Sequence, residues 1–91
     1  MVVSSAKLKL YIPQAASLKD KRQIRLSVIA KTRQKFNAAV AEVEAQDLCQ
    51  TLVLGVAVVS NDGQHAQQML DEIVRFIEEN ADAELVDVNF D

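Results

Sequence analysis

The chain has 91 residues, a net charge of −3, 49% hydrophobic and 25% charged residues. Those values exclude a disordered polymer and leave room for one domain, residues 1–91, near the lower size limit for folding alone. One cysteine, Cys49, excludes an internal disulfide and a cysteine-based metal cluster, and fits a reducing cytoplasm.

The longest apolar stretch, Leu52 to Val59, is broken by Gly55 and too short to span a bilayer, so no membrane association is expected. No basic-then-apolar leader is visible at the N-terminus. The net charge conceals a split. Residues 1–36 hold nine Lys/Arg against the single acid Asp20, a balance of +8, and residues 37–91 hold Arg75 against twelve acids, a balance of −11. Such asymmetry puts a positive field on one part of the surface.

From Val2 to Ile12 the pattern alternates. Val2, Ala6, Leu8, Leu10 and Ile12 fall on one side, Lys7, Lys9 and Tyr11 on the other, which reads as a half-buried strand ended by Pro13. Ser17 followed by Asp20 is the Asp form of a capping box and predicts a helix from Leu18 to Phe36, with Asn37 as terminator. Leu18, Ile29 and Phe36 mark its expected inward stripe, flanked by Val28 and Thr32 on one side and Leu26 on the other. Ala38 to Glu44 suits a short edge strand, and Ala45 to Gln50 a hairpin loop. Thr51 to Ser60 is apolar on both faces, as a central strand is. Asp62 is the expected N-cap of a second helix that buries Ala66, Met69, Leu70, Ile73 and Ile77 and ends near Asn80. Glu84 to Phe90 alternates again, with Val86, Val88 and Phe90 expected inward. The order β-α-β-β-α-β, closed with right-handed crossovers, is an α+β ferredoxin-like sandwich: a four-stranded antiparallel sheet with two helices on one face.

The runs Ser17-Leu18-Lys19-Asp20-Lys21-Arg22, Arg33-Gln34-Lys35-Phe36-Asn37, Ala41-Glu42-Val43, Asp47-Leu48, Leu54 through Asp62 and Arg75-Phe76-Ile77-Glu78 together resemble the YlxP-like family of small, uncharacterised bacterial proteins. The resemblance covers nearly the whole chain. It implies a ferredoxin-like fold and a cytoplasmic bacterial setting, often encoded beside genes for translation initiation and ribosome-binding factors. It implies no established activity. The chain departs from the family pattern in two places. Cys49 stands where a larger side chain is frequent, and Arg25-Leu26 inverts the usual apolar-then-basic pair. Arg25 then faces inward, where it must snorkel or pair with an acid such as Glu42, unless the helix rotates to bury Leu26.

The first helix holds the strongest functional signal. Lys19, Lys21, Arg22 and Arg25 crowd its first turns, and Lys31, Arg33 and Lys35 follow. Cations there oppose the helix dipole, and an anionic partner such as structured RNA or a ribosomal subunit would reverse that cost. The alternative is a solvated face whose long stems cover the edge of the core. An RNA-recognition motif is excluded, because its central strands need stacking aromatics and only Tyr11 is available. The uncovered sheet face is the second candidate. Tyr11, Val53, Ala57 and Val59 are expected there beside Lys7 and Lys9, as the interface of a homodimer or higher homo-oligomer, with Asp87 and Asn89 offsetting the lysines. No catalytic, metal or cofactor site is expected. His65 is the lone histidine, and Gly55 and Gly63 make no phosphate-binding loop.

Overall fold

The computed structural model describes residues 1–91. Its elements are β1 (Val2–Tyr11), α1 (Leu18–Lys35), β2 (Ala39–Glu44), β3 (Thr51–Ser60), α2 (Gly63–Asn80) and β4 (Glu84–Phe90). The strands form one sheet in the order β2-β3-β1-β4, with every neighbouring pair antiparallel. This is the ferredoxin-like α+β sandwich that the element order predicts.

The apolar alternation of the central strands places the core. Ala6, Leu8 and Leu10 from β1 and Leu52, Leu54, Val56 and Val58 from β3 share one face, with Ile12 just beyond β1, and all are buried. Helix α2 closes that face with Ala66, Leu70, Ile73 and Ile77, while Met69 is only half-buried. Burying side chains of this size contributes on the order of 1.5–3 kcal/mol each, so α2 and the two central strands are the energetic centre of the molecule. Asp62 caps α2 as expected, accepting a hydrogen bond from the Gln64 amide at 3.1 Å. No helix is long and apolar enough to cross a membrane.

The alternation of β4 does not run unbroken. The β1–β4 register shifts between Lys9 and Leu10, so that Lys9 faces Asp87 and Leu10 faces Leu85. Val86 is the extra residue of the resulting bulge and is exposed, and Leu85 takes the inward place assigned to it. Phe90 shares the inward face opposite Ala6 but lies at the rim of the sheet and stays half exposed.

Candidate nucleic-acid interface

Helix α1 starts where the capping signal puts it. The Asp20 amide donates to Ser17 Oγ at 3.2 Å, and Asp20 Oδ2 accepts from the Ala16 amide at 3.0 Å. Its rotation differs from the expected one. The buried residues of α1 are Lys21, Val28 and Thr32, whereas Leu18 and Leu26 are about half exposed and Ile29 is half-buried. The helix has turned its Lys21–Val28–Thr32 row inward and moved Leu26 out.

The cause lies on β2. Glu42 pairs with Leu54, a core residue, so its side chain points into the helix-facing side of the sheet. Lys21 reaches it from α1, with Nζ 2.8 Å from Glu42 Oε2, and the two side chains are 2% and 8% exposed. The same ammonium donates to the carbonyls of Ala45 (2.9 Å), Gln46 (3.2 Å) and Thr51 (3.2 Å). An ammonium has three hydrogens for these four acceptors. Glu42 Oε2 has no donor other than that ammonium. Arg25 Nη1 donates to the other oxygen, Oε1, at 2.8 Å. Burial pushes the Glu42 carboxyl up, but the Lys21 and Arg25 cations outweigh it and hold the group below the usual carboxylate range.

This cluster fastens the β2–β3 turn. Ala45 has φ 58°, the only residue in the chain in the left-handed region, a conformation costing about 1–2 kcal/mol for a residue with a Cβ. Its carbonyl is one of the three that Lys21 holds. Lys21 is therefore a buried tie between helix and hairpin rather than a surface cation. It is withdrawn from the basic face on which the sequence places it. Arg25 is half committed to Glu42, which resolves the choice left open for it: it pairs, and Leu26 is not buried.

The remaining cations of α1 stay on the surface. Lys19, Arg22, Lys31, Arg33 and Lys35 are all exposed, and none has an acidic partner among the ion pairs of the chain. At 100° per residue, Lys19, Arg22 and Arg33 share one side of the helix with Leu26. Lys31 and Lys35 lie on the side toward α2, where Lys35 Nζ sits 5.0 Å from the Phe76 ring centre and 5.8 Å from that of Phe36. The exposed side of α2 is acidic, with Asp71, Glu72, Glu78 and Glu79 against Arg75. The helical layer is thus divided, positive on α1 and negative on α2.

On the open face of the sheet, Tyr11 and Val59 are exposed and Ala57 is half-buried. Val53 is not available there. It is buried because the β2–β3 turn, with Ala45 and Leu48, lines the same 270 Å³ depression. The charge offset is present: Lys7 lies opposite Asn89 and Lys9 opposite Asp87. Lys7 also reaches over Gly55 to an ion pair with Glu44, whose hydrogen bond and charge raise the lysine pKa. Two exposed apolar residues have no counterpart in the sequence-based expectation. Val3 lies beside Val59, and Val43 occupies the register shift of β2. Gly55 is the sequence signal for Val43, since a Cβ there would come within 2.8 Å of Val43 Cγ1. No group of three or more His, Cys, Asp or Glu is placed to hold a metal ion. His65 is exposed on the first turn of α2, and Cys49 donates weakly to the Ala15 carbonyl at 3.8 Å.

The chain is thus a ferredoxin-like α+β protein whose basic first helix is fastened to its hairpin by a buried lysine. The chain belongs to the family described as "Protein of unknown function (DUF503)", whose model matches residues 3–90. It is 29% identical over 77 residues to the uncharacterized protein YlxP of Bacillus subtilis (strain 168), covering 85% of this chain and 84% of that one. Among solved structures, the de novo designed protein Ferredog-Diesel aligns at a TM-score of 0.44 and 10% identity, over 97% of this chain and 84% of its own.

Proposed function

We propose that this is a non-catalytic cytoplasmic accessory protein that docks on structured RNA or a ribosomal particle through α1. One observation carries the reading. The chain pairs Lys7 with Glu44, and Lys21 and Arg25 with Glu42, yet leaves Lys19, Arg22, Lys31, Arg33 and Lys35 without an acid although acids outnumber cations overall. Cations kept free on one helix suit a phosphate backbone. Such contact reads backbone and shape rather than base edges, so sequence preference is weak and salt dependence strong. Neutralising about four phosphates gives a log–log salt slope near −3 to −4. The test is cosedimentation with ribosomal subunits through a salt series. Reversal of Lys19, Arg22 and Arg33 to Glu abolishes association while the domain stays folded; unchanged cosedimentation ends the proposal.

A second reading, a homo-oligomeric interaction module, is favoured by the open sheet face. Val3, Val59, Val43 and Tyr11 are 60%, 59%, 44% and 40% exposed on or beside it. Between them lies a shallow apolar depression of about 380 Å³ floored by Ala39, Ala41, Gly55 and Ala57. A second copy packed there would bury this surface. Size-exclusion chromatography with light scattering decides it. The wild-type chain runs as a dimer and Val59→Glu as a monomer if this face is the interface.

A further inference from the structure

The two edges of the sheet are finished differently. On β4 the bulge at Val86 interrupts pairing, and the Val88 amide is taken by the Asp87 carboxylate at 3.0 Å. Both devices discourage another strand from adding there. On β2 the free backbone groups can be identified from the register. The Asp91 amide donates to the Ser5 carbonyl, and the Ile12 amide to the Gln50 carbonyl, so odd residues of β1 turn toward β4 and even ones toward β3. Ala6 is therefore bonded to Val56, and the backbone groups of Gly55 and Ala57 turn toward β2. Ala41 and Ala39 receive them. The backbone N–H groups of Val40 and Glu42 then face outward, and no side chain or loop in the chain takes them.

Helix α1 roofs this edge. Its contact with α2 runs along the Lys31–Lys35 side, so the opposite side overhangs the space beyond β2. That side presents Leu18, Arg22, Arg25 and Arg33, with Ile29 half-buried against the core between them. Arg25 already has Glu42, whereas Arg22 and Arg33 have no acid. A strand laid beside β2 would place alternate side chains under a row that is part apolar and part cationic.

We infer that the free edge of β2, under the outer side of α1, is a docking site for an extended acidic segment of another protein, which adds a fifth strand to the sheet. Main-chain hydrogen bonds to Val40 and Glu42 supply the pairing, and the exposed Leu18, Arg22 and Arg33 select alternating apolar and acidic side chains. Charge decides against a second copy as the occupant. Two β2 edges paired about a two-fold axis would bring both α1 helices together, Arg22 and Arg33 of one beside those of the other, with no acid between them.

The experiment follows backbone amide exchange by NMR in the full chain. The probe is a synthetic peptide as long as β2 that alternates Val and Glu, with a Val/Lys peptide as control. Exchange at Val40 and Glu42 slows by about tenfold or more with the acidic peptide, and Val88 is unaffected. The lysine peptide does nothing. Unchanged exchange at Val40 and Glu42 across the soluble range of the acidic peptide overturns the inference. So does protection of these amides that grows with protein concentration alone, because the occupant is then a second copy. Val40→Pro removes one edge donor and abolishes peptide binding while ribosome cosedimentation persists, whereas Lys31→Glu weakens cosedimentation and leaves the peptide bound. If Val40→Pro does not fold, amide exchange in the wild-type chain decides between binding and its absence without the variant.

Discussion

The two helices are of equal length, 18 residues, carry side-chain N-caps and lie on the same face of one sheet, yet they are held by different forces. Helix α2 buries Ala66, Leu70, Ile73 and Ile77, and its attachment is the ordinary removal of apolar surface from water. Helix α1 puts Val28 into the core and rests Ile24, Ile29 and Phe36 against it. Its other fully buried side chains are Lys21 and Thr32, and Lys21 ties it to Glu42 and three hairpin carbonyls beside Arg25. An apolar stripe grips any apolar surface of the right shape. A buried ammonium accepts one geometry, because losing any partner leaves a charge or a carbonyl stranded. Helix α1 is thus positioned for accuracy in rotation, and α2 for adhesion. Because α1 does not commit Leu18 and Leu26 to the core, its outer surface mixes apolar and cationic groups.

The largest test of that difference is Lys21→Ala. It strands Glu42 Oε2 and the carbonyls of Ala45, Gln46 and Thr51, and it should cost about 3–5 kcal/mol in urea denaturation. Ile73→Ala in α2 should cost about 2–5 kcal/mol by leaving a cavity. The two losses are similar in size but differ in kind. Loss of Lys21 frees the hairpin, so amide exchange accelerates across residues 45–51 before the rest of the chain, whereas Ile73→Ala lowers protection in β1, β3 and α2 together. A Lys21→Ala protein that is destabilised by less than about 1 kcal/mol would show that the cluster does not hold the helix.

The acid limb of stability separates the helices next. The Glu42 carboxyl is held below its unfolded value, so the stability it contributes is fully present above the unfolded carboxylate range near 4.3 and is lost as pH falls through the lower, folded value. Wild type and Ile73→Ala should therefore lose stability along parallel curves below that range. Lys21→Ala, with only Arg25 left to depress Glu42, should show a shallower fall. Parallel curves for all three proteins would mean that Glu42 does not set the acid limb.

These contrasts also explain how far the sequence could be read. The strands β1 and β3, the helix α2 and both N-caps follow from periods and caps that act over a few neighbouring residues. Their limits fall within one residue of where the pattern puts them, β1 ending at Tyr11 rather than Ile12. The rotation of α1 depends on Glu42, which is 21 residues from Lys21, and on carbonyls 24, 25 and 30 residues away. A lysine reads as a surface residue until the chain closes and supplies those acceptors. The local hint is Glu42 at an inward position of a strand whose other inward residue is Val40. The bulge in β4 is similar: Leu85 and Val86 are both suitable core residues, and the pairing with Leu10 chooses between them. Of the candidate site, five cations stand at the surface as read. Lys21 and Val53 do not, because the same β2–β3 turn that binds one covers the other.

The smallest expected effect bears most directly on the rotation. If α1 faced the sheet with its Leu18–Ile29–Phe36 row, Leu26 would flank the buried stripe, and Leu26→Gln would cost on the order of 1–3 kcal/mol by stranding a polar amide. In the structure Leu26 is 52% exposed on the side shared with Lys19, Arg22 and Arg33. Substitution there should change stability by no more than about 0.5 kcal/mol, the ordinary range for a surface position. The corresponding change on the inward row, Val28→Gln, buries an amide with nothing to bond and should be worse by several-fold. Equal losses at the two positions, measured in the same urea titration, would mean that the helix is not fixed in the rotation that the Lys21 cluster imposes.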